Sequence, residues 1–245
     1  MIKTKKFVPV RDILAYVEST GIVYSVPYSN EKGYVDNICI PTESNPTALF
    51  WQSGEVVVAH NVIATNYPRL LFAKIVHDVF GYIDDGEVLI GDNLFLGELC
   101  VFGDSGYGYV WDHTKCKYLP FPHLGKVIIG DNVTIHNCVT IDRGALCDTV
   151  IGDGTKIGSH VHIGHNAQIG KNCLIVTKAT IGGSAKIGDN VFVGRGADVG
   201  NCIVEDGAII GKMSNVLDKT YVDKDEVWAG NPAVFLRMRR KSDDL

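Results

Sequence analysis

A branched aliphatic residue recurs at every sixth position through the second half of the chain, most often with glycine after it. The series is Ile129, Ile135, Ile141, Ile151, Ile157, Ile163, Ile169, Ile175, Ile181, Ile187, Val193 and Val199, followed after a one-residue deletion by Val204, Ile210, Val216 and Val222. A period of six matches neither an amphipathic helix nor the alternation of a single strand. It is typical of a parallel β-helix, in which three hexads make one triangular coil.

Residues about 18 apart stack in such a coil, one strand spacing (~4.8 Å) apart along its axis. We expect the aliphatic side chains to point into the prism. The Asn, Asp and Gly residues that follow them suit the corners, because these residues tolerate positive φ at low cost.

The period begins weakly at Val88–Asn93 and is interrupted twice. The first interruption, 104–126, is rich in Gly, Tyr, Pro and His, and an excursion of this length from a regular coil is more often functional than accidental. Its aromatic residues Tyr107 and Tyr109 are predicted to bind a ligand, although packing of the loop on the prism is the simpler alternative. The second interruption, Asp142–Val150, precedes the coil that contains His165.

The first 85 residues predict a small α/β domain. Helices are predicted over Pro9–Thr20 and from Tyr67 to Gly81, where Pro68 occupies a favoured first-turn position. Short strands are predicted at Ile22–Val26, Asn37–Ile40, Ala48–Trp51 and Val56–His60. The predicted organisation is therefore a domain over 1–85, a β-helix over 86–233 with the insertion at 104–126, and a basic tail over 234–245.

Composition narrows the functional classes. The net charge of −5 argues against a general nucleic-acid surface. Neither a signal-peptide core nor an apolar run of membrane-spanning length is found. The seven cysteines are odd in number and form no Cys-x-x-Cys pair, so they are interpreted as buried thiols of a cytoplasmic protein.

His165 is the candidate catalytic residue. It occupies a corner position where other hexads carry Asp, Gly or Lys, and the residue stacked on it one coil later is Gly183. The glycine leaves space beside the imidazole, and a neutral histidine is a suitable general base near pH 7. The backbone N–H groups of Gly182 and Gly183 are candidate donors to an oxyanion, because no side chain blocks their approach. Alternatively, His165 is simply a turn residue on the surface.

Four blocks of sequence resemble one enzyme family in order and spacing. They are Phe102–Tyr109 (FGDSGYGY), Pro122–Val127 (PHLGKV), Thr140–Gly152 (TIDRGALCDTVIG) and Val161–Asn166 (VHIGHN). These blocks resemble the UDP-3-O-acylglucosamine N-acyltransferases of lipid A synthesis, over about Glu87–Gly211. The amino-terminal domain matches more loosely.

The resemblance implies a left-handed β-helix that assembles as a homotrimer with active sites between subunits. It implies transfer of an acyl group from acyl carrier protein to the amino group of a UDP-linked glucosamine, with His165 as catalytic base. No bound cofactor and no metal are expected, because the acyl donor is a phosphopantetheine thioester. The expected substrate-binding residues are Phe50, Trp51, Tyr107, Tyr109, Asp142, Arg143, His160, His162 and Asn166. For the trimer, we expect Val133, Val139 and Val191 near the surface of a prism face.

The chain also departs from the family. Gly158 stands where the family usually has an Asp seven residues before the catalytic histidine, so His160, His162 or Asp142 would have to support the imidazole. The family's carboxy-terminal helix is nearly absent. In its place, Trp228–Ala233 resembles the closing turn of acetyl-CoA-dependent hexapeptide acetyltransferases. The predicted donor-binding residues are Gly182, Gly183, Asn201, Gly230, Asn231 and Arg237.

Several functions therefore compete. An acetyl-CoA-dependent N-acetyltransferase of a nucleotide-linked amino sugar, for surface polysaccharide, is the main alternative. A zinc enzyme of the γ-carbonic anhydrase type would need three histidine ligands, and Gly170 stands where one of them is required. A catalytically silent scaffold would bind no acyl thioester.

Overall fold

The computed structural model describes residues 3–20, 24–28, 34–37, 50–52, 62–65, 68–80 and 86–243. Before residue 86, side chains are described at 13–20 and 69–78. The chain divides into two compact units. Unit 1 comprises 1–84 and 107–122, and unit 2 comprises 85–106 and 123–245. The excursion within the hexad series therefore belongs mostly to unit 1.

Unit 1 combines short strands with two helices. Its elements are β1 (Lys3–Pro9), α1 (Val10–Ser19), β2 (Tyr24–Tyr28), β3 (Tyr34–Asn37), β4 (Phe50–Gln52), β5 (Val62–Thr65), α2 (Pro68–Ile75), a π-helical turn (Val76–Phe80), β9 (Tyr109–Asp112) and β10 (Lys117–Pro120). Strand β1 pairs with β3, β5 lies between β2 and β4, and β9 and β10 form an antiparallel hairpin. Ile13 and Val17, one helical turn apart in α1, are fully buried.

Unit 2 is a parallel β-helix. Its strands are β6 (Val88–Ile90), β7 (Phe95–Leu96), β8 (Val101–Ser105), β11 (Val127–Ile129), β12 (Thr134–Ile135), β13 (Thr140–Arg143), β14 (Thr149–Ile151), β15 (Lys156–Ile157), β16 (His162–Ile163), β17 (Gln168–Ile169), β18 (Leu174–Ile175), β19 (Thr180–Ile181), β20 (Lys186–Ile187), β21 (Phe192–Val193), β22 (Asp198–Val199), β23 (Ile203–Val204), β24 (Ile209–Ile210), β25 (Asn215–Val216), β26 (Tyr221–Val222), β27 (Glu226–Gly230) and β28 (Ala233–Met238). A 3₁₀-helix, Lys241–Asp243, follows.

These strands form three sheets of seven, eight and six strands, because each of β6 to β27 in this unit pairs with the strand one coil away, and β28 adds to one edge by pairing with β27. The register keeps the aliphatic series aligned, so that Ile163 pairs with Ile141 on one side and with Ile181 on the other. The interior is a continuous apolar core, with Ile163 and Ile181 fully buried. At the corners, non-glycine residues adopt positive φ, as in Asn132 (56°) and Asn190 (56°). The β-helix expected from the hexad period is confirmed.

In the eight-stranded sheet, the neighbouring strands β18, β21 and β24 carry the apolar outward-pointing side chains Leu174, Phe192 and Ile209, which we call the apolar face. Thr134 of β12 and the exposed Lys156 of β15 separate this face from Phe95 of β7. The residues expected near a prism surface, Val133, Val139 and Val191, are instead buried to 0%, 0% and 1% exposure. They precede the outward position by one residue and turn into the core at the corner.

The predicted amino-terminal ends of both helices are confirmed to within a residue or two. Gly81, the predicted end of the second helix, and the predicted strand Val56–His60 lie outside the described residues. Strand β28 pairs antiparallel with β27, so that residues 233–238 are part of a hairpin. Cys173 and Cys202 are buried, and burial raises the pKa of each thiol to about 11. The interpretation of the cysteines as buried thiols is wrong for Cys116 and Cys147, which are exposed. No helix within the described ranges is long and apolar enough to span a membrane.

Candidate active site

His165 lies at the corner that follows β16, where the chain leaves the six-stranded sheet. Gly164 before it is buried, and a Cβ on Gly164 would lie 2.7 Å from the backbone nitrogen of Gly183. A Cβ on Gly183 would in turn lie 2.8 Å from Nε2 of His165. The imidazole therefore stacks directly against Gly183, as the 18-residue spacing predicted. A larger residue at position 183 would occupy the space beside the ring.

Asn166 is bonded within the coil rather than extended toward solvent. Its Oδ1 accepts a hydrogen bond from the backbone nitrogen of Ala145 at 2.6 Å. This bond turns the amide nitrogen toward the ring, where Nδ2 lies 3.1 Å from Nδ1 of His165. Because an amide NH₂ group can only donate, Nδ1 accepts in this arrangement. Asn166 also adopts a φ of 61°, and its backbone nitrogen donates to Thr149. These contacts make it a support for His165.

Asp142 places a carboxylate between two histidines. Its Oδ2 is 3.8 Å from Nε2 of His162, whose Nδ1 lies 2.8 Å from the hydroxyl of Thr140. Burial raises the pKa of the Asp142 carboxyl above its ordinary value, and Asp104 adds to this effect. His162 and His165 lower the pKa of Asp142, because positive charge on either ring stabilises the carboxylate. Asp142 is therefore a half-buried acid whose charge responds to both rings.

His123 also belongs to this cluster. Its side chain is 2% exposed, and its ring centroid lies 5.1 Å from that of His165 at an interplanar angle of 77°. In the sequence, His123 stands out only as part of the block Pro122–Val127. The hexad pattern contained no signal for its role, because residue 123 lies at the end of an excursion whose return path the period does not specify.

Two other predicted substrate-binding residues have different surroundings. Arg143 is 2% exposed; its Nη2 donates to Ser105 at 3.0 Å, and its Nη1 lies 3.5 Å from the carbonyl of Gly103. It therefore ties β13 to β8 from within. His160 sits in an exposed corner with a φ of 60°, at the opposite end of β16 from His165.

Unit 1 contains the predicted aromatic ligand surface, which we call the aromatic hairpin. Tyr107 lies beside Tyr109 with ring centroids 5.1 Å apart, and Trp111 contacts Tyr118 at 5.0 Å. Tyr107 is 92% exposed, so its ring is largely open to solvent. The other predicted residues of this unit, Phe50 and Trp51, lie in β4, and their side chains are outside the described set.

The predicted donor-binding residues fall into two groups. Gly182 lies next to the His165 corner, but its backbone N–H donates to the carbonyl of Val199 at 2.7 Å. It is therefore not available as an oxyanion donor, and Gly183 remains the candidate. Asn201 is exposed one coil further on, and its backbone nitrogen donates to Asp218.

The second group lies at the carboxy-terminal end of the β-helix. Gly230 and Asn231 form the tight connection between β27 and β28, with a cis peptide bond at Asn231-Pro232. Asn231 contacts Asn215 of β25, which is three strands along from β16, or about 14 Å at the usual strand spacing. Arg237 is bonded to Asp243 through both of its terminal nitrogens. This ion pair would compete with any anionic ligand.

The cluster at His165 combines a stacked imidazole, a half-buried carboxylate and an open glycine corner. Across the described part of the chain, no group of three or more His, Cys, Asp or Glu side chains is arranged to hold a metal ion. The side chains present are suited to moving a proton at the edge of the sheet.

A protein-family model matches part of the β-helix. Residues 148–183, which include the His165 corner and Gly183, match the family model "Bacterial transferase hexapeptide (six repeats)". This match and the fold make the β-helix a hexapeptide-repeat structure.

Two curated proteins are similar in sequence to part of this chain. The chain is 46% identical over 70 residues to a UDP-3-O-acylglucosamine N-acyltransferase of Coxiella burnetii, which covers 29% of this chain and 20% of the relative. It is 52% identical over 56 residues to the protein of the same name from Prochlorococcus marinus, covering 23% and 16%. The chain thus spans about a fifth or less of the length of these relatives. The resemblance that the four motif blocks indicated is confirmed.

Solved structures share the fold. A UDP-N-acetylglucosamine O-acyltransferase from Moraxella catarrhalis superimposes with a TM-score of 0.54 at 18% identity, over 88% of this chain and 75% of that one. The UDP-N-acetylglucosamine acyltransferase from Campylobacter jejuni gives 0.51 at 22% identity, over 62% and 64%.

Proposed function

We propose that this protein is an N-acyltransferase that moves an acyl group from a carrier thioester to the amino group of a nucleotide-linked amino sugar, in lipid A or lipopolysaccharide synthesis. The observation that carries the proposal is the His165 corner, where an imidazole stacks on Gly183 beside the carboxylate of Asp142. The names of the curated relatives support the substrate class.

The chemistry needs a base. An amine attacks a thioester only in its neutral form, so a proton must leave the nitrogen during attack. In the proposed step the amine nitrogen bonds to the acyl carbon and the amine proton passes to His165. The carbon–sulfur bond of the tetrahedral intermediate then breaks, and the proton goes on to the departing thiolate. The backbone N–H of Gly183 would stabilise the oxyanion. No covalent acyl-enzyme is required.

The aromatic hairpin is proposed to bind the sugar nucleotide. Aromatic stacking on a nucleobase contributes about 1–3 kcal/mol and needs an accessible ring face. Tyr107 has such a face, and Tyr109 supports it from the side. Phe50 and Trp51 of β4 are proposed to contribute to the same substrate.

A second candidate keeps the reaction but changes the donor. The connection Gly230–Asn231–Pro232 favours acetyl-CoA, because it resembles the closing turn of acetyl-CoA-dependent hexapeptide enzymes and projects from the last coil of the β-helix. The product would then be an N-acetylated nucleotide sugar for surface polysaccharide.

The proposed enzyme acts in the cytoplasm as a homotrimer, with no resident cofactor. The apolar face is a suitable subunit contact, because its three neighbouring apolar side chains remain partly exposed.

A donor-by-acceptor assay tests the proposal. The full chain would be incubated with acetyl-CoA or with 3-hydroxyacyl carrier proteins of several chain lengths, each with UDP- or dTDP-linked amino sugars. Mass spectrometry of the nucleotide sugar would detect the added acyl group, and His165→Ala provides the blank. Transfer from acyl carrier protein supports the first candidate, and transfer from acetyl-CoA alone supports the second. Absence of product from every pair would refute acyl transfer to these acceptors.

A further inference from the structure

The corner between the eight-stranded and the six-stranded sheets carries a cation in each of three successive coils. Lys178 follows β18, Arg195 follows β21 and Lys212 follows β24, and all three side chains are exposed. We call these three residues the basic corner. A Cβ on Gly194 would lie 2.5 Å from the backbone nitrogen of Lys212, so successive coils are in close contact here, one strand spacing (~4.8 Å) apart.

No acidic side chain is paired with the basic corner. Within the part of the chain that the structure describes, none of its three side chains forms an ion pair or a side-chain hydrogen bond. By comparison, Lys171 at the corner between the seven-stranded and eight-stranded sheets is paired with Asp153 at 2.9 Å. Like charges about one strand spacing apart repel each other, and an anion bound between them removes that repulsion. The basic corner is therefore suited to a ligand with several negative groups.

The turn Gly230–Pro232 closes this corner at the carboxy-terminal end of the β-helix. Strand β27, which leads into the turn, pairs with β24, the strand that leads to Lys212. The backbone nitrogen of Gly230 donates to Oγ of Ser214 at 3.2 Å, and Ser214 lies two residues after Lys212. The turn therefore occupies the same corner one coil beyond Lys212. The turn predicted to bind the donor and the three cations belong to one surface.

We propose that the basic corner binds the phosphate groups of a CoA thioester, the acyl donor. CoA carries a diphosphate and a 3′-phosphate, so its three phosphate groups match three clustered cations. Arg237, the cation predicted to bind the donor, is instead bonded to Asp243 through both terminal nitrogens. This inference rests on the proposed function in its acetyl-CoA form, and it assigns the donor to residues that the motifs did not indicate.

The distance from the basic corner to His165 suits this donor. Lys178 precedes Gly183, which stacks on His165, by five residues, and five residues extend over at most about 18 Å. The pantetheine arm of CoA has a similar length when extended. A CoA whose phosphates lie at the basic corner can therefore place its thioester beside the imidazole by running along the outside of the six-stranded sheet.

An acidic carrier protein fits this surface less well than CoA does. Because salt screens charges beyond about 8 Å, a compact polyphosphate interacts mainly with the three cations of the corner. A carrier protein would cover a wider area, which includes the exposed Asp198 three residues after Arg195. The chain as a whole carries a net charge of −5, so a broad acidic surface meets repulsion around the corner.

Equilibrium binding tests the site without an acceptor. Isothermal titration calorimetry would compare CoA with dephospho-CoA, which lacks the 3′-phosphate, on the full chain and on the triple variant Lys178→Gln, Arg195→Gln, Lys212→Gln. An exposed ion pair contributes up to about fivefold in affinity, so we expect the triple variant to bind CoA about 100-fold more weakly. It should also no longer distinguish CoA from dephospho-CoA. Lys186→Gln, an exposed lysine on the seven-stranded sheet, is the matched control and should stay within twofold of wild type.

Three results would overturn the proposal. They are equal CoA affinity in the wild type and the triple variant, a wild type that binds no CoA, and a triple variant that loses affinity for holo-acyl carrier protein but keeps its affinity for CoA. The three positions are exposed, so the fold should be retained; if the triple variant fails to fold, the three single variants decide by the same titrations.

Kinetics separate this site from the proposed function. In the transfer assay the triple variant should raise KM for acetyl-CoA about 100-fold, with kcat within twofold of wild type, because phosphate contacts are the same in the ground state and the transition state. CoA bound through the basic corner of a protein that transfers no acyl group supports the site and refutes the proposed function. Transfer from acyl carrier protein by a protein that binds no CoA supports the function and refutes the site.

Discussion

Replacing Gly183 with alanine adds one methyl group against the imidazole ring of His165. The new Cβ would lie 2.8 Å from Nε2, 2.9 Å from Cε1 and 3.2 Å from Cδ2 of the imidazole. An ordinary contact begins at 3.4 Å, so the ring has to retreat by about 0.6 Å. Catalytic groups tolerate displacements of about 0.5 Å, and a displacement of about 1 Å costs roughly 10²-fold in rate. We therefore expect kcat to fall about 10- to 100-fold.

The fold should survive the same substitution. Thr177 and Asp189 occupy the equivalent position in neighbouring hexads, so the corner backbone accepts an ordinary side chain. A glycine-to-alanine change at a compatible site stabilises by about 0.4–1 kcal/mol through the unfolded state, and the contact with the ring offsets part of this. The net change in the free energy of unfolding should lie within about 1 kcal/mol. Thr177→Ala is the matched control and should leave both rate and stability unchanged.

Steady-state rates with a verified donor and acceptor, together with urea unfolding, measure both quantities. A Gly183→Ala enzyme with wild-type kcat would refute the idea that the open corner serves His165. A loss of activity that accompanies a stability loss of several kcal/mol would instead assign the glycine to the fold.

Three further predictions concern other parts of the molecule. Tyr107→Ala should raise KM for the sugar nucleotide about tenfold, since stacking contributes about 1–3 kcal/mol; an unchanged KM in initial-rate measurements would move that site elsewhere. In unit 1, Lys74 and Asp112 form a buried ion pair with an N···O distance of 2.7 Å. Burial raises the pKa of the Asp112 carboxyl, but hydrogen bonds from Lys74 and Thr114 outweigh burial and hold this pKa well below its usual range. The stabilisation that the ion pair contributes is therefore present above about pH 4 and is lost as the pH falls toward the pKa of Asp112 in the folded protein. Lys74→Met should lower the free energy of unfolding by about 3–5 kcal/mol at pH 7, measured by chemical unfolding. A difference below about 1 kcal/mol would contradict this prediction. Finally, the apolar face predicts a trimer in sedimentation velocity at micromolar concentration, and a stable monomer would exclude it.

The hexad period predicted most of unit 2 because each coil repeats one simple requirement. An aliphatic residue must fill the prism, and the residues that follow must turn the corner, so the pattern identifies both the core and the stacking of Gly183 on His165. The position of Asp142 near His165 followed less directly, from a motif block. Where the sequence departs from the period, as at His123, the return path of the chain depends on tertiary hydrogen bonds that no local pattern encodes.

Two other expectations show the same limit. Val133 was expected near a surface but is fully buried, because hexad position and corner geometry together decide which way a residue points. Gly182 was expected to offer its N–H to an oxyanion, but that group belongs to the ladder between coils. The register between a strand and the strand of the next coil decides which N–H groups are already hydrogen-bonded. The sequence of one coil alone does not give this register.

The central claim is that His165 takes the proton from the attacking amine, and His165→Ala tests it most directly. With saturating donor and acceptor we predict that kcat falls by about 10²- to 10⁴-fold with little change in either KM, the usual range for loss of a general base. The corner side chain is partly exposed and lies outside the prism core, so the variant should unfold at the wild-type midpoint. A His165→Ala protein that keeps more than about a third of wild-type kcat would contradict the account and assign the base to His162 or His160.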